Sequence, residues 1–262
     1  MKNILRYCLL TVAAIAICTS AKAADASLTD QEPQAAATDA GWTFSLAPYF
    51  WVAGLSGDTS QFGLPTVHID ADFGDILKNL DFAFMAAGEA RNDRFSIIGD
   101  VIYTKLSADG ETPFGVLADE VEVTTSSFSG LLGVGYAVYQ GPEAHLDVVA
   151  GVKLWSVETT ISLEGGLLGG TERSDSATWV DGMIGLRGRY SLTPEIYLTG
   201  WGLVGAGGAD VDWDVALGLG YEFNERISAI VGYRALGVDY SNDGFRFDVV
   251  QQGPILELAI KF

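Results

Sequence analysis

From Trp42 to Phe262 apolar side chains recur at every second position. In RFSIIGDVIYTKL, Phe95, Ile97, Val101 and Tyr103 share one face, and Ser96, Asp100 and Thr104 share the other. HLDVVAGVKLW sets Leu146, Val148, Ala150, Val152 and Leu154 against Asp147, Gly151 and Lys153. WDVALGLGYEF sets Val215, Leu217, Leu219, Tyr221 and Phe223 against Asp214, Gly218 and Glu222. A period of two is the signature of extended strands. Short turn sequences at 92–93, 141–143, 193–195 and 224–225 alternate with long, mostly acidic connectors near 55–80, 107–121, 163–175, 206–211 and 241–245. The pattern predicts ten antiparallel strands, near 42–54, 82–92, 94–106, 122–140, 145–162, 176–191, 196–205, 212–224, 226–240 and 246–262. The Gly-rich stretch 196–212 has ambiguous phase and leaves eight or twelve strands as alternatives.

Alternation does not by itself say which face is inside. Ten strands with about five large apolar residues each cannot pack that face into a narrow barrel, because eight strands already leave room only for filling side chains or one small ligand. The other face carries Gly, Ala, Ser and Thr among charges, with very few lysines, unlike a water-exposed exterior. Turned outward, the apolar face becomes the lipid-facing band of a transmembrane β-barrel, the closed form that lets strands satisfy their backbone groups in a bilayer. Aromatic residues gather at both strand ends, as interfacial girdles do. Phe95, Tyr136, Tyr139, Tyr190, Tyr197, Tyr221, Phe223 and Phe262 lie at the short-turn end. Phe50, Trp51, Phe82, Phe84, Tyr103, Trp155, Trp179, Trp213, Tyr233 and Tyr240 lie at the long-loop end, although Trp155 and some others have inward phase. Within the first connector, Phe73, Ile76, Leu77 and Leu80 have helical spacing, which predicts a short amphipathic helix over the barrel rim.

The first 23 residues read as a secretory signal peptide: Lys2 and Arg6, an apolar stretch at 9–17, then Ala21-Lys22-Ala23. Both cysteines, Cys8 and Cys18, fall within it, so the expected mature chain has neither disulfide nor thiol chemistry. Residues 24–41 are small and polar and read as a disordered periplasmic leader; residues 42–262 are the barrel. Without the signal, 12 basic residues face 34 acidic ones, a formal net charge of −22. That balance argues against nucleic acid, which is bound through clustered Lys and Arg.

WTFSLAPYFWVAGLSG, FGDILKNLDFAFM and GYRALGVDYSNDGF, with the last strand ILELAIKF, together resemble a family of uncharacterised outer-membrane β-barrel proteins of Gram-negative bacteria across nearly all of 42–262. An alternating strand ending in Phe262 also resembles the assembly signature of such barrels. The resemblance implies an envelope location, engagement of the barrel assembly machinery, and contact with outer-membrane lipid and lipopolysaccharide. It implies no activity and no catalytic residues.

The inward phase collects Glu89, Arg91, Asp100, Asp147, Lys153, Asp181, Arg187, Arg189, Asp214, Glu222, Arg234, Glu257 and Lys261, seven acidic and six basic. Such balance favours a network of ion pairs filling the lumen; a lined path for small ions or solutes is the alternative. The excess negative charge therefore falls mostly in the leader and the long connectors, the latter with Asp70, Asp72, Asp75, Asp109, Glu111, Asp119, Glu120, Glu122, Glu164, Glu172, Asp175, Asp210, Asp212, Asp239 and Asp243. Carboxylate oxygens suit hard cations, and Asp70, Asp72 and Asp75 in DADFGD form a weak divalent-cation pattern without complete EF-hand spacing. No cofactor is expected. Barrel enzymes exist, including omptin-like proteases and lipid-A-modifying enzymes, but hydrolytic chemistry needs a histidine base, and there are two histidines. His145 falls at a short turn, where a solvated role is expected, and His68 lies in the first connector near Asp70, Asp72 and Ser60. The expected role is therefore a non-enzymatic integral envelope protein, structural or acting on surface partners through acidic loops. A narrow porin-like channel is the alternative.

Overall fold

The computed structural model describes residues 41–111, 120–166 and 169–262; the expected signal peptide and the leader up to residue 40 lie outside them, as do Asp119 and part of the 163–175 connector. The strands are β1 (Thr43–Trp51), β2 (Gly54–Ser60), β3 (Val67–Ala71), β4 (Leu80–Asn92), β5 (Phe95–Glu111), β6 (Glu120–Gln140), β7 (Ala144–Glu164), β8 (Thr171–Ser191), β9 (Ile196–Gly207), β10 (Val211–Glu222), β11 (Ile227–Asn242) and β12 (Phe245–Lys261). One helix, α1 (Phe73–Lys78), precedes β4. Neighbours pair antiparallel in the order β1, β4, β5 and so on to β12, and β12 pairs back onto β1. Ten strands thus close a barrel, and β2 and β3 form an additional hairpin. The prediction of ten wall strands holds; β2 and β3 come from the stretch read as an irregular connector.

Closure depends on an interrupted rail. The lower half of β12 pairs with β1, from Ser45↔Lys261 to Trp51↔Ile255. Its upper half pairs with β2, from Gly54↔Gln252 to Ser60↔Arg246. Where the two partners meet, the Val52 N–H donates to the Pro254 carbonyl at 2.8 Å. The Val52 backbone crosses so close to Gly253 that a Cβ there would lie 1.8 Å from the Val52 carbonyl oxygen, so only glycine fits. On its other side β1 follows β4 from Thr43↔Arg91 as far as Pro48↔Ala86. Above that point Phe73 of α1 packs edge-on against Phe50, ring centroids 6.0 Å apart. The helix starts where the Asp72 carboxylate caps the Asp75 N–H at 2.9 Å. The tip of the β2–β3 hairpin reaches β8, where the Phe62 N–H donates to the Asp175 carboxylate at 2.5 Å.

The apolar face points outward. Leu132 (61% exposed), Val134, Ile184, Leu186, Leu217, Val231, Leu256 and Leu258 all lie on the outer surface. On β6 the band runs from Phe128 to Tyr136, close to the roughly 9–11 residues with which a tilted strand crosses hydrocarbon. Strands β6, β7 and β8, with 21 residues each, continue well beyond it on the outer side. Several acids expected in loops, such as Asp109, Glu120 and Glu172, therefore stand on strand extensions. Two connectors expected to be long are tight outer turns: 208–210 between β9 and β10, and Asp243–Gly244, both in the left-handed region (φ 48° and 85°) between β11 and β12. The girdle assignment needs correction too. Phe95, Tyr136, Tyr190, Tyr221, Phe50, Phe82 and Tyr233 face out, whereas Trp51, Trp155, Trp179, Tyr197 and Tyr240 are buried inside the barrel.

Because Leu132 sits midway in the band, Leu132→Arg should destabilise the barrel refolded in phospholipid vesicles by about 2–4 kcal/mol, whereas Ser126→Arg, beyond the band beside Lys105, should cost about 0–1 kcal/mol. Urea titration of the two variants checks the depth assignment.

Candidate functional site: the barrel interior

The inward positions of the strands stack as layers. At the short-turn end lies an ionic belt drawn from five strands. Arg91 of β4 donates to Glu89 at 2.6 Å and to Asp147 of β7. Arg187 of β8 reaches the other oxygen of Glu89 at 2.6 Å. Glu222 of β10 accepts from Arg189 at 2.8 Å and from Lys261 of β12 at 3.1 Å. The Arg189 guanidinium lies 3.5 Å from the Tyr197 ring centroid, and that ring occupies the space over Gly220, where a Cβ would come within 2.1 Å of it. Asp147 is fully buried, and a carboxylate so placed requires its cationic partner.

Among the belt charges and beyond them a vestibule of about 380 Å³ runs from Thr43 and Lys261 at the turn end to Tyr49 and Arg234 in the barrel middle. Its apolar wall includes Ile98, Val149 and Leu203, packed with Leu131 and Trp201.

The next layer centres on Arg234 of β11, 2% exposed. It donates to both oxygens of Asp214 (2.6 and 3.1 Å), to Asp100 (2.9 Å) and to the Tyr49 hydroxyl (2.9 Å). Tyr49 in turn donates to Asp100, and the Trp201 indole N–H donates to Asp214. Three rings, of Tyr49, Trp51 and Trp201, lie 5.3–5.7 Å from the guanidinium carbon. Beside this hub, Lys153 and the Trp155 indole both donate to Asp212, at 2.8 and 2.7 Å. Asp181 accepts from the Ala209 N–H.

Beyond the charges comes an aromatic layer. Trp179 stacks on Tyr240 at 4.0 Å and lies parallel to Trp155 at 5.9 Å, and Phe247 meets both tryptophans at 6.2 Å. Leu236, Val157 and Val249 are fully buried around them.

All thirteen residues assigned inward by phase, Glu89, Arg91, Asp100, Asp147, Lys153, Asp181, Arg187, Arg189, Asp214, Glu222, Arg234, Glu257 and Lys261, face the interior. They fall into separate layers rather than one network. Asp212, read as a loop acid, is buried beneath Lys153, and its alternation with Val211 and Trp213 already carried that phase. Tyr49 was missed although it alternates with outward Phe50. His145, expected at a solvated turn, lines the vestibule.

On the outer side, Asp72 is used by the helix cap and Asp75 bonds Lys78 at 3.0 Å, an interaction that raises the pKa of the Lys78 ammonium. Asp70 stands opposite Ser56 in the β2–β3 hairpin. Among the described residues, no three His, Cys, Asp or Glu side chains gather closely enough to hold a metal ion. His68 pairs with Asp58 at 2.9 Å on an exposed surface, while the Ser60 hydroxyl bonds the Leu64 carbonyl.

Arg234→Met would leave the buried Asp214 and the partly buried Asp100 without their cation, and the expected loss is about 3–5 kcal/mol in denaturant unfolding. Adding Asp100→Asn and Asp214→Asn to that variant should recover most of it. Equal stability of the single and triple variants would contradict the hub.

No protein-family model matches the chain, and neither does any curated protein. Solved structures do. The outer-membrane protease OmpT of Escherichia coli superposes over 84% of this chain and 97% of its own, at 13% identity and a TM-score of 0.50. The attachment invasion locus protein Ail of Yersinia pestis and the Neisserial surface protein A each match 85% of this chain and 99% of their own at 12% identity, with TM-scores of 0.36 and 0.33. These last two share too little geometry to support an argument, and the first is a likeness of fold alone. Together with the closed sheet and its lipid-facing band, it gives this chain the fold of the Gram-negative outer-membrane β-barrels.

Proposed function

We propose that this protein is a non-conducting integral barrel of the outer membrane, structural in the wall and acting on surface partners through its acidic outer extensions. The observation that carries the first half is the pair of consecutive layers across the lumen: the buried Arg234–Asp100–Asp214–Tyr49 cluster and the stacked Trp155, Trp179, Tyr240 and Phe247 above it. An ion crossing would have to displace a guanidinium from two carboxylates and then enter a packed apolar layer. The second half rests on charge: exposed Asp70, Asp109, Glu120, Glu172, Asp210 and Asp243 stand at the outer end, where Lys78, Lys105, Arg173 and Arg246 are the cations of the described residues. Such a rim repels anionic surfaces and attracts cationic ones. Its partners in this reading are outer-membrane lipid, the assembly machinery engaged through β12, and lipopolysaccharide phosphates bridged by divalent cations whose remaining oxygens come from the phosphates.

OmpT is a protease, and a hydrolytic reading here would fall on His68 and Asp58. His68 is exposed and Asp58 partly so, and among the described residues no hydroxyl group bonds the imidazole, so nothing in that geometry activates a nucleophile.

In planar bilayers the wild-type barrel should show no discrete conductance, while Trp155→Ala, Trp179→Ala and Arg234→Ala combined should open steps. Cation-selective steps in the wild type would instead establish a narrow channel. Calcium should raise the Tm of the barrel in vesicles containing lipopolysaccharide and leave it unchanged in phospholipid alone; no shift in either removes the bridging role.

A further inference from the structure

The vestibule on the short-turn side has a feature that the ion-pair layers do not absorb. Every arginine and lysine on its lining is already spent: Arg91 and Arg187 on Glu89, Arg189 and Lys261 on Glu222, Arg234 on Asp100 and Asp214. Glu257 of β12 has no such partner. It lines the cavity, and its carboxylate makes no hydrogen bond or ion pair with the described residues. The charged groups that bear on it, Arg187, Asp100 and Arg234, are paired with other residues and form no ion pair with it. Tyr49 stands opposite it across the β1 pairing, and its other near neighbours along the strand and on β11 are apolar. Ile255 and Ala259 flank it on the same face of β12, and Ile230 lies opposite it across the β11 pairing; all three line the same cavity.

We infer that the vestibule is a binding site for an organic monocation, an amine carrying a compact apolar body, admitted from the periplasm and held by Glu257. A lone carboxylate in an apolar wall is short of a counter-charge, and a ligand ammonium supplies one while its body covers Ile98, Val149 and Leu203. The ligand class follows by elimination among charges. Anions find no free cation on the lining. A divalent metal needs six or more oxygens, and among the described residues no three acidic or histidine side chains gather to supply such a shell. A cavity of about 380 Å³ limits the body to a small molecule such as an aryl- or alkylamine. Its entrance is the belt end, since the Arg234 hub and the aromatic layer occupy the barrel above it. This site is independent of whether the outer rim engages surface partners.

The test is calorimetric titration of phenethylamine into the refolded full-length barrel in detergent micelles, at mildly alkaline pH. 3-Phenylpropionate and 2-phenylethanol, with the same apolar body, serve as controls. The amine should bind saturably, and Glu257→Gln should weaken it at least tenfold while the barrel keeps its heat-modifiable mobility on gels. Glu257→Asp should retain part of the affinity, and the anion and the alcohol should not saturate. Should Glu257→Gln fail to fold, Ala216→Phe fills the same cavity without altering the carboxylate and should abolish binding. Absence of saturable heat with the wild type, equal affinity in Glu257→Gln or Ala216→Phe, or equal binding of the alcohol or the anion each overturns the site.

Discussion

A strand that enters hydrocarbon takes its amide groups with it, and no water is there to receive them. Closing the sheet on itself is the constraint from which the rest of this molecule follows. The seam lies along β12, which has β11 on one side and two successive partners on the other, β1 below and β2 above. The break between those partners is accommodated by the Val52–Pro254 hydrogen bond and by the missing side chain of Gly253. Because β1 hands over to β2 at that point, β2 is free to turn back as a hairpin whose tip reaches β8 through the Phe62–Asp175 bond.

Closure also creates an interior narrow enough that its side chains must meet. With the large apolar residues committed to lipid, the inward positions are left with charges, small residues and a few aromatics, and these sort by depth. The charges nearest the turns pair across strands at a half-exposed belt. Those in the middle are buried and need multiple partners, and Arg234 serves two carboxylates and a phenol at once. Aromatic rings fill the outer half, where the strand extensions rise past the bilayer and the outward face no longer claims every large side chain. The two ends of the lumen therefore differ: one is an open vestibule with apolar walls, the other a packed core like that of a water-soluble protein.

The strands were legible because lipid on one side and a polar interior on the other impose alternation over most of the wall; the predicted ends of β6, β7 and β9 fall within two residues of those observed. Turn length was less legible. The stretch 206–211 reads as a long connector, but its flanking glycines serve close strand approach of β8 and β9, where a Cβ on Gly205 would lie 2.2 Å from the Gly182 carbonyl oxygen. The aromatic girdle was overcounted because composition marks a tryptophan near a strand end but not its side. Trp155 and Trp179 are paired across β7 and β8 with inward phase, and only their stacking with Tyr240 and Phe247 explains why they are there. Asp212 was misplaced for the same reason: an acid next to a turn looks like a surface acid until Lys153 is found beside it.

By itself, then, the order of residues determined that the wall is built of antiparallel strands, the face that meets lipid, and the set of charges that point inward, because each depends only on a local period of two and on a solvent that punishes any lapse in it. Which charges pair, which aromatics leave the membrane surface for the interior, and which carboxylate is left without a partner were decided by the barrel alone. Those contacts join residues dozens to hundreds of positions apart, such as Tyr49 with Arg234, and their depth and angle are set by the stagger of ten strands around a closed ring.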